Sequence, residues 1–144
     1  MRFHKTDGGR LDSGFRGDAG DCVTRAIAIA LQLPYRRTYN ELGALSSVLT
    51  GGIKTSVRDG TQNAVAHRYL INRGWSVTLT PGSYLKDLSD LTPLHYSGTF
   101  IAVLSRHYVC VIDGVVHDSW DSRISNRTKC GSPKLIGYYS RTAS

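Results

Sequence analysis

Three side chains far apart in the chain have the types needed for nucleophilic attack on a carbonyl: Cys22, His107 and Asp118. A thiol attacks as its thiolate, and an imidazole that a carboxylate orients is the usual means of making and holding a thiolate near neutral pH. His107 and Asp118 stand on either side of an Asp113-Gly114 turn signal flanked by apolar runs, the pattern of a β-hairpin. A two-residue turn sets Ile112 opposite Val115, and hence Val109 opposite Asp118 and His107 opposite Trp120. Side chains alternate along a strand, so His107, Val109, Val111, Val116, Asp118 and Trp120 share one face. His107 and Asp118 are then diagonal neighbours, roughly 7–8 Å apart at the backbone, a gap that two polar side chains leaning together close to a hydrogen bond. Trp120 faces the imidazole and shields it. A bulge in the hairpin would instead offer Asp121 as the orienting carboxylate.

Cys22 opens the most apolar stretch of the chain. Val23, Ala26, Ile27, Ala30 and Leu31 recur at helical spacing, with Ile29 and Leu33 widening the stripe until Thr24, Arg25, Ala28 and Gln32 are all that is left for another side. The spacing predicts a nearly central helix over 22–33, closed by Pro34. At its first turn, unpaired amides and the positive end of the helix dipole favour a thiolate, and the same amides can cradle an oxyanion. Asp21 is placed as the N-cap. As a second role, either Asp21 or Asp18 can bind a substrate amine.

The elements that must position these groups follow in order. Residues 1–19 carry four glycines and mixed charge without an apolar period, and are expected as an extended or loose lead-in, neither helix nor strand. A second helix is predicted over 35–49 with Tyr39, Leu42, Leu45 and Leu49 inward, ended by Gly51-Gly52. After a loop over 51–60, Thr61 can cap a third helix that runs through Val65, Tyr69 and Leu70 and stops at Gly74. Strand patterns follow over 75–80, 100–104, 108–112, 115–116 and 135–139. Helices first and strands afterwards predict an α+β fold with the Cys22 helix packed on a mainly antiparallel sheet. No internal repeat or low-complexity segment interrupts this.

At 144 residues the chain has room for a single domain over 1–144, which excludes a two-domain enzyme. Its longest uninterrupted apolar stretch, 26–31, is six residues, against about 20 for a membrane span and about 7 for a secretory core. A soluble protein made without a signal sequence, with no membrane partner, is expected. Cys22, Cys110 and Cys130 lie far apart without C-x-x-C spacing, which excludes a disulfide scaffold and a zinc finger and fits a reducing cytoplasm. His117 shares the other face of the hairpin with Cys110, two ligands where a zinc site needs four, so neither metal nor cofactor is expected. The net charge of +7 would draw an acidic partner or nucleic acid, but Arg36-Arg37 is the one adjacent basic pair, so nucleic acid is weakly supported as a partner.

The order Cys22, His107, Asp118, with His107-Tyr108-Val109 followed by Asp118-Ser119-Trp120, resembles the papain-like cysteine peptidases, whose helix-start cysteine works with a strand-opening histidine and an Asn-Ser-Trp on the next strand. A nearer resemblance is carried by Asp7-Gly8-Gly9-Arg10, by Gly20-Asp21-Cys22-Val23-Thr24-Arg25-Ala26-Ile27-Ala28, and by Ser105-Arg106-His107-Tyr108 through Val116-His117-Asp118. These are similar to small proteins encoded by bacteriophages and prophages. The resemblance covers both ends of the chain and leaves roughly 36–94 unmatched; the separation of Cys22 from His107 is closer to bacterial members such as the double-glycine leader peptidases than to plant papain. It implies a minimal papain-like fold in an infected bacterial cytoplasm, with a protein or peptide as substrate. The family places a glutamine six residues before its cysteine as an oxyanion donor, and here that position is Arg16. Either Arg16 has taken the role, or anchors an acidic substrate group, or the loop is differently shaped, or hydrolysis has been lost.

The expected activity is therefore cysteine hydrolysis of a peptide or isopeptide bond. Two other readings stay open: an acyltransferase or transglutaminase-like enzyme with the same triad, and a non-catalytic phage protein that occupies a host protein or nucleic acid.

Overall fold

The computed structural model describes residues 2–12, 14, 21–49, 63–88, 98–105, 107–123 and 133–141. Strand β1 (Arg2–Lys5) is followed by helices α1 (Cys22–Leu31), α2 (Tyr35–Leu49) and α3 (Asn63–Ile71), then by β2 (Trp75–Tyr84), β3 (Thr99–Leu104), β4 (His107–Ile112), β5 (Val115–Asp118) and β6 (Lys134–Arg141). The strands form one sheet in the order β1-β5-β4-β3-β6-β2, antiparallel throughout except for the parallel pair β1 and β5. The fold is α+β, helices first. No helix among the described residues is long and apolar enough to cross a membrane.

α1 is central because it has almost no polar side: Val23 through Ala28 are all buried. It packs on β3, β4 and β5 and is backed by α2. Its apolar side joins Leu42, Val65, Tyr69, Leu70, Ile101, Tyr108 and Tyr139 in one core. The alternate residues of the same strands, Phe100, Ala102, Leu104, Val109, Val111 and Val116, build a second core on the sheet's other face, which Leu85 and Leu88 of a short 3-10 turn and Phe3 complete. The helix ends sooner than its pattern predicts. Gln32 adopts the left-handed conformation at φ 55, its N–H reaching the Ile29 carbonyl at 3.3 Å while the Leu33 N–H reaches Ala28 at 3.0 Å, a Schellman closure built without glycine.

Three expectations are corrected. Residues 2–5 of the lead-in form a strand: main-chain pairing with Val115–Asp118 needs no apolar alternation, and Phe3 alone supplies packing. In α2 the buried line is Tyr35, Thr38, Leu42 and Ser46, with Tyr39 and Leu45 at its flank, while Leu49 is 44 % exposed. The small Thr38 and Ser46 let that side of the helix approach its neighbours, and Leu49 lies past the last contact turn. β2 runs four residues beyond Thr80 to Tyr84, its pairing with β6 broken by an irregularity between Leu79 and Ser83 that accommodates Pro81-Gly82. The third helix, α3, begins at Asn63, and Thr61, expected as its cap, lies outside the described residues.

Gly137 sits between β2 and β3, opposite Leu79 and Val103. A Cβ there would stand 2.5 Å from the Thr78 carbonyl oxygen and 3.2 Å from the Leu79 Cα, both backbone and unable to yield. Gly137→Ala is expected to destabilise the fold by about 1–3 kcal/mol; an unchanged urea midpoint would show that β2 gives way freely. Gln32→Gly is expected to raise stability by about 1 kcal/mol, because glycine adopts the left-handed conformation without the Cβ conflict; a thermal melt at or below that of the parent would contradict it.

Candidate active site

The hairpin has the register that its turn chemistry dictates: Ile112 pairs with Val115, Val111 with Val116 and Cys110 with His117. His107 therefore opens β4 and Asp118 closes β5 at the same end, away from the turn. His107 Nε2 and Asp118 Oδ2 are 2.5 Å apart. The other carboxylate oxygen, Oδ1, accepts from the Ser119 N–H at 2.7 Å and from Arg25 Nη2 at 3.3 Å. The Trp120 ring lies 4.9 Å from the imidazole, centroid to centroid, at 34°, and is 37 % exposed, a cover with one side in solvent. Asp121 does not reach the histidine; it binds the Arg123 guanidinium through bonds of 2.9 and 2.7 Å.

Cys22 is the first residue of α1 and is partly exposed. Its sulfur is hydrogen-bonded to His107 and receives the Tyr108 backbone N–H. With Nε2 on Asp118, Nδ1 is the ring nitrogen left for the sulfur. Burial works against the thiolate, yet these two hydrogen bonds, with the His107 and Arg25 charges behind them, hold the Cys22 thiol below its ordinary range. Burial likewise opposes the imidazolium, and the hydrogen bonds to Asp118 and Cys22 overcome it, pushing His107 up to about 9. Burial raises Asp118 while the His107 bond and charge and the Ser119 amide lower it, with a net lowering. Cys110 is the contrast: buried, with desolvation alone acting, its thiol is pushed far up.

Asp21 departs from its expected cap. Its side chain makes no capping hydrogen bond and is turned inward, 1 % exposed. Oδ1 accepts from Arg25 Nη1, one helical turn on; Oδ2 accepts from the Tyr35 hydroxyl and lies 3.4 Å from Arg10 Nε. Buried behind two donors and the Arg10 guanidinium, this carboxylate has no face for a substrate amine. Arg10 arrives on a turn in which the Asp7 carboxylate accepts the Gly9 and Leu11 N–H groups, each at 2.9 Å. At Gly8, φ +71, a side chain would press on the Arg25 backbone at 3.4 Å, so the Asp7-Gly8-Gly9-Arg10 motif is what lets the chain lie against α1 and deliver Arg10.

The structure thus brings Cys22, His107, Asp118 and Trp120 together and turns Asp21 away beneath them. Arg16, Asp18 and Cys130 lie outside the described residues. His117 packs against His4 across β1 and β5, ring centroids 5.1 Å apart and the rings tilted at 56°, and among the described residues no three His, Cys, Asp or Glu side chains converge as metal ligands. Sequence reasoning missed Arg25, Arg10 and the hydroxyl of Tyr35. The available signal was the i, i+4 spacing of Asp21 and Arg25, an ion-pair spacing on a helix otherwise apolar. Comparison of the chain with protein-family models, with curated proteins and with solved structures finds no match.

Two thiols with opposite environments make the first test. Iodoacetamide is expected to label Cys22 well below pH 8.5, about where a free thiol titrates, and Cys110 only after unfolding. His107→Ala should slow Cys22 labelling near neutral pH. Equal rates for Cys22 in variant and parent, read by peptide mass spectrometry, would remove the imidazole from thiolate formation.

Proposed function

We propose that the chain is a cysteine hydrolase of papain-like build that cleaves a peptide or isopeptide bond, encoded by a phage and acting in the bacterial cytoplasm. The observation that carries the reading is the convergence of the Cys22 thiol on the His107 imidazole, itself bonded through Nε2 to Asp118 at 2.5 Å, from a helix start and two strand ends. The placement of a thiol at the head of a helix packed on an antiparallel sheet, with the base opening a strand and an indole over it, supports the papain-like build.

The chemistry runs on these groups alone. The Cys22 thiolate attacks the carbonyl carbon, and the carbonyl π electrons move to oxygen, beside the amides at the head of α1, which Asp21 leaves uncapped. Collapse of this intermediate breaks the C–N bond, and the leaving amine takes the proton from His107 Nδ1. Neutral His107 then removes a proton from water, whose oxygen attacks the thioester; the C–S bond breaks, releasing the carboxylic acid and restoring the thiolate and imidazolium. The Asp118 carboxylate stays ionised and keeps Nε2–H occupied, so that Nδ1 is the nitrogen that works.

The required state, thiolate with imidazolium, exists above the lowered pKa of Cys22 and below that of His107. Turnover of fluorogenic peptide and isopeptide substrates is therefore expected to follow a bell whose alkaline limb falls near pH 9. Asp118→Asn removes the group that raises His107, so the alkaline limb should move to lower pH, with kcat staying within roughly 10²-fold of the parent because an amide oxygen still accepts from Nε2–H. Cys22→Ala should abolish turnover. Hydrolysis that survives Cys22→Ala defeats the reading; an acyl-Cys22 adduct released only by an added amine would convert it to acyl transfer.

A further inference from the structure

We propose that Arg25 is the positioning residue of this site: its guanidinium bridges Asp118, which holds the base, to Asp21, which adjoins the nucleophile, and so fixes thiol and imidazole in one geometry. This rests on the assignment of Cys22 as nucleophile and His107 as base. Arg25 lies one helical turn after Cys22 and is 8 % exposed. One terminal nitrogen, Nη1, donates to Asp21 Oδ1, and the other, Nη2, donates to Asp118 Oδ1 at 3.3 Å. Two carboxylates 97 residues apart in sequence are thereby tied by a single planar group whose donors stand at fixed spacing.

The geometry of that tie matters because each carboxylate controls one reacting partner. Asp118 has its Oδ2 on His107, and a donor on its Oδ1 limits the swing that would carry the imidazole from the sulfur. Asp21 is joined to Cys22 by a peptide bond, so anchoring its side chain anchors the start of α1. The remaining charged and titratable neighbours are accounted for: His107 from β4, the Tyr35 hydroxyl from α2, and Arg10 from the amino-terminal turn, the last two on Asp21 alone. Among the described residues, only Arg25 touches both carboxylates. A lysine, with one compact ammonium in place of a fork, keeps the charge and cannot span both.

Two variants separate positioning from scaffolding. Arg25→Lys keeps the buried charge, and the double variant Asp21→Asn with Arg25→Gln keeps the charge balance. The rate of Cys22 alkylation is followed from about pH 5 to 10 with near-ultraviolet circular dichroism as the check on the fold. In the parent the rate is expected to plateau below pH 8.5; in each folded variant the acid limb should move up by about one pH unit, so that at a pH on the parent's acid limb the rate falls by up to about tenfold. If Cys22 of the parent titrates as an ordinary thiol, the assignment of the nucleophile fails, whatever the variants do. If the parent shows the plateau and a folded variant matches it within about twofold, Arg25 merely supports the fold and the proposal is overturned. Loss of native dichroism in both variants likewise assigns Arg25 to the fold and overturns it.

Discussion

Asp21, Arg25 and Asp118 carry full charges in positions that water scarcely reaches, with Arg10 at their margin. A buried charge left alone costs several kcal/mol, and it is tolerated when paired and hydrogen-bonded. That constraint organises much of the molecule. Asp21 needs Arg25 at the next turn, so α1 must already be helical at its first residues. It needs Tyr35 as well, which ties the entry of α2 to the entry of α1. It has Arg10 beside it, so the amino-terminal segment must fold back over the helix, and Thr6 N–H on the Asp118 carbonyl at 2.8 Å holds that segment to the end of the hairpin. The short β1 strand is the route by which this return is made.

What could be read from the sequence divides along physical lines. The hairpin was legible down to the pairing of individual residues, because Asp113-Gly114 selects one turn and a slip of one residue would exchange the two faces, putting His117 where Val116 packs. α1 was legible because no other arrangement buries so many of its side chains. β1 was not, since an edge strand held by main-chain bonds shows nothing in its side chains beyond Phe3. The Pro81-Gly82 extension of β2 was hidden by the two residue types most often found outside strands, tolerated here at an irregularity. The burial of Leu85 and Leu88 in a 3-10 turn depends on the second core beneath it, which no local pattern announces.

Asp21 shows how a sound local rule is overruled. Before a helix, aspartate most often accepts its own helix's amides, and the rule rests on those amides being the nearest donors. Here three stronger partners converge from one turn away, from the next helix and from the amino terminus, and a charged or phenolic partner in a dry site outcompetes a backbone amide. Only one of the three, Arg25, was close enough in sequence to be seen by spacing. The head of α1 is left without a side-chain cap as a consequence, which is the condition under which its amides remain available to an anion.

The same charge arithmetic bears on why an aspartate, and not an amide, stands at position 118. An ionised carboxylate on the far side of the imidazole stabilises imidazolium strongly, as the upward shift of His107 shows, but it also places a second negative charge near the Cys22 thiolate, which by itself disfavours that thiolate. Arg25 resolves the conflict. It neutralises Asp118 on the oxygen that His107 does not use, and its charge also acts directly to lower the Cys22 thiol. From Cys22 through His107, Asp118, Arg25 and Asp21 to Arg10 the charges alternate in sign along a contiguous line of contacts. An asparagine at 118 would need no such counterion, and a neutral side chain at 25 would leave the buried Asp118 carboxylate without its guanidinium partner. The aspartate and the arginine are therefore a matched choice, each tolerable in this interior because of the other.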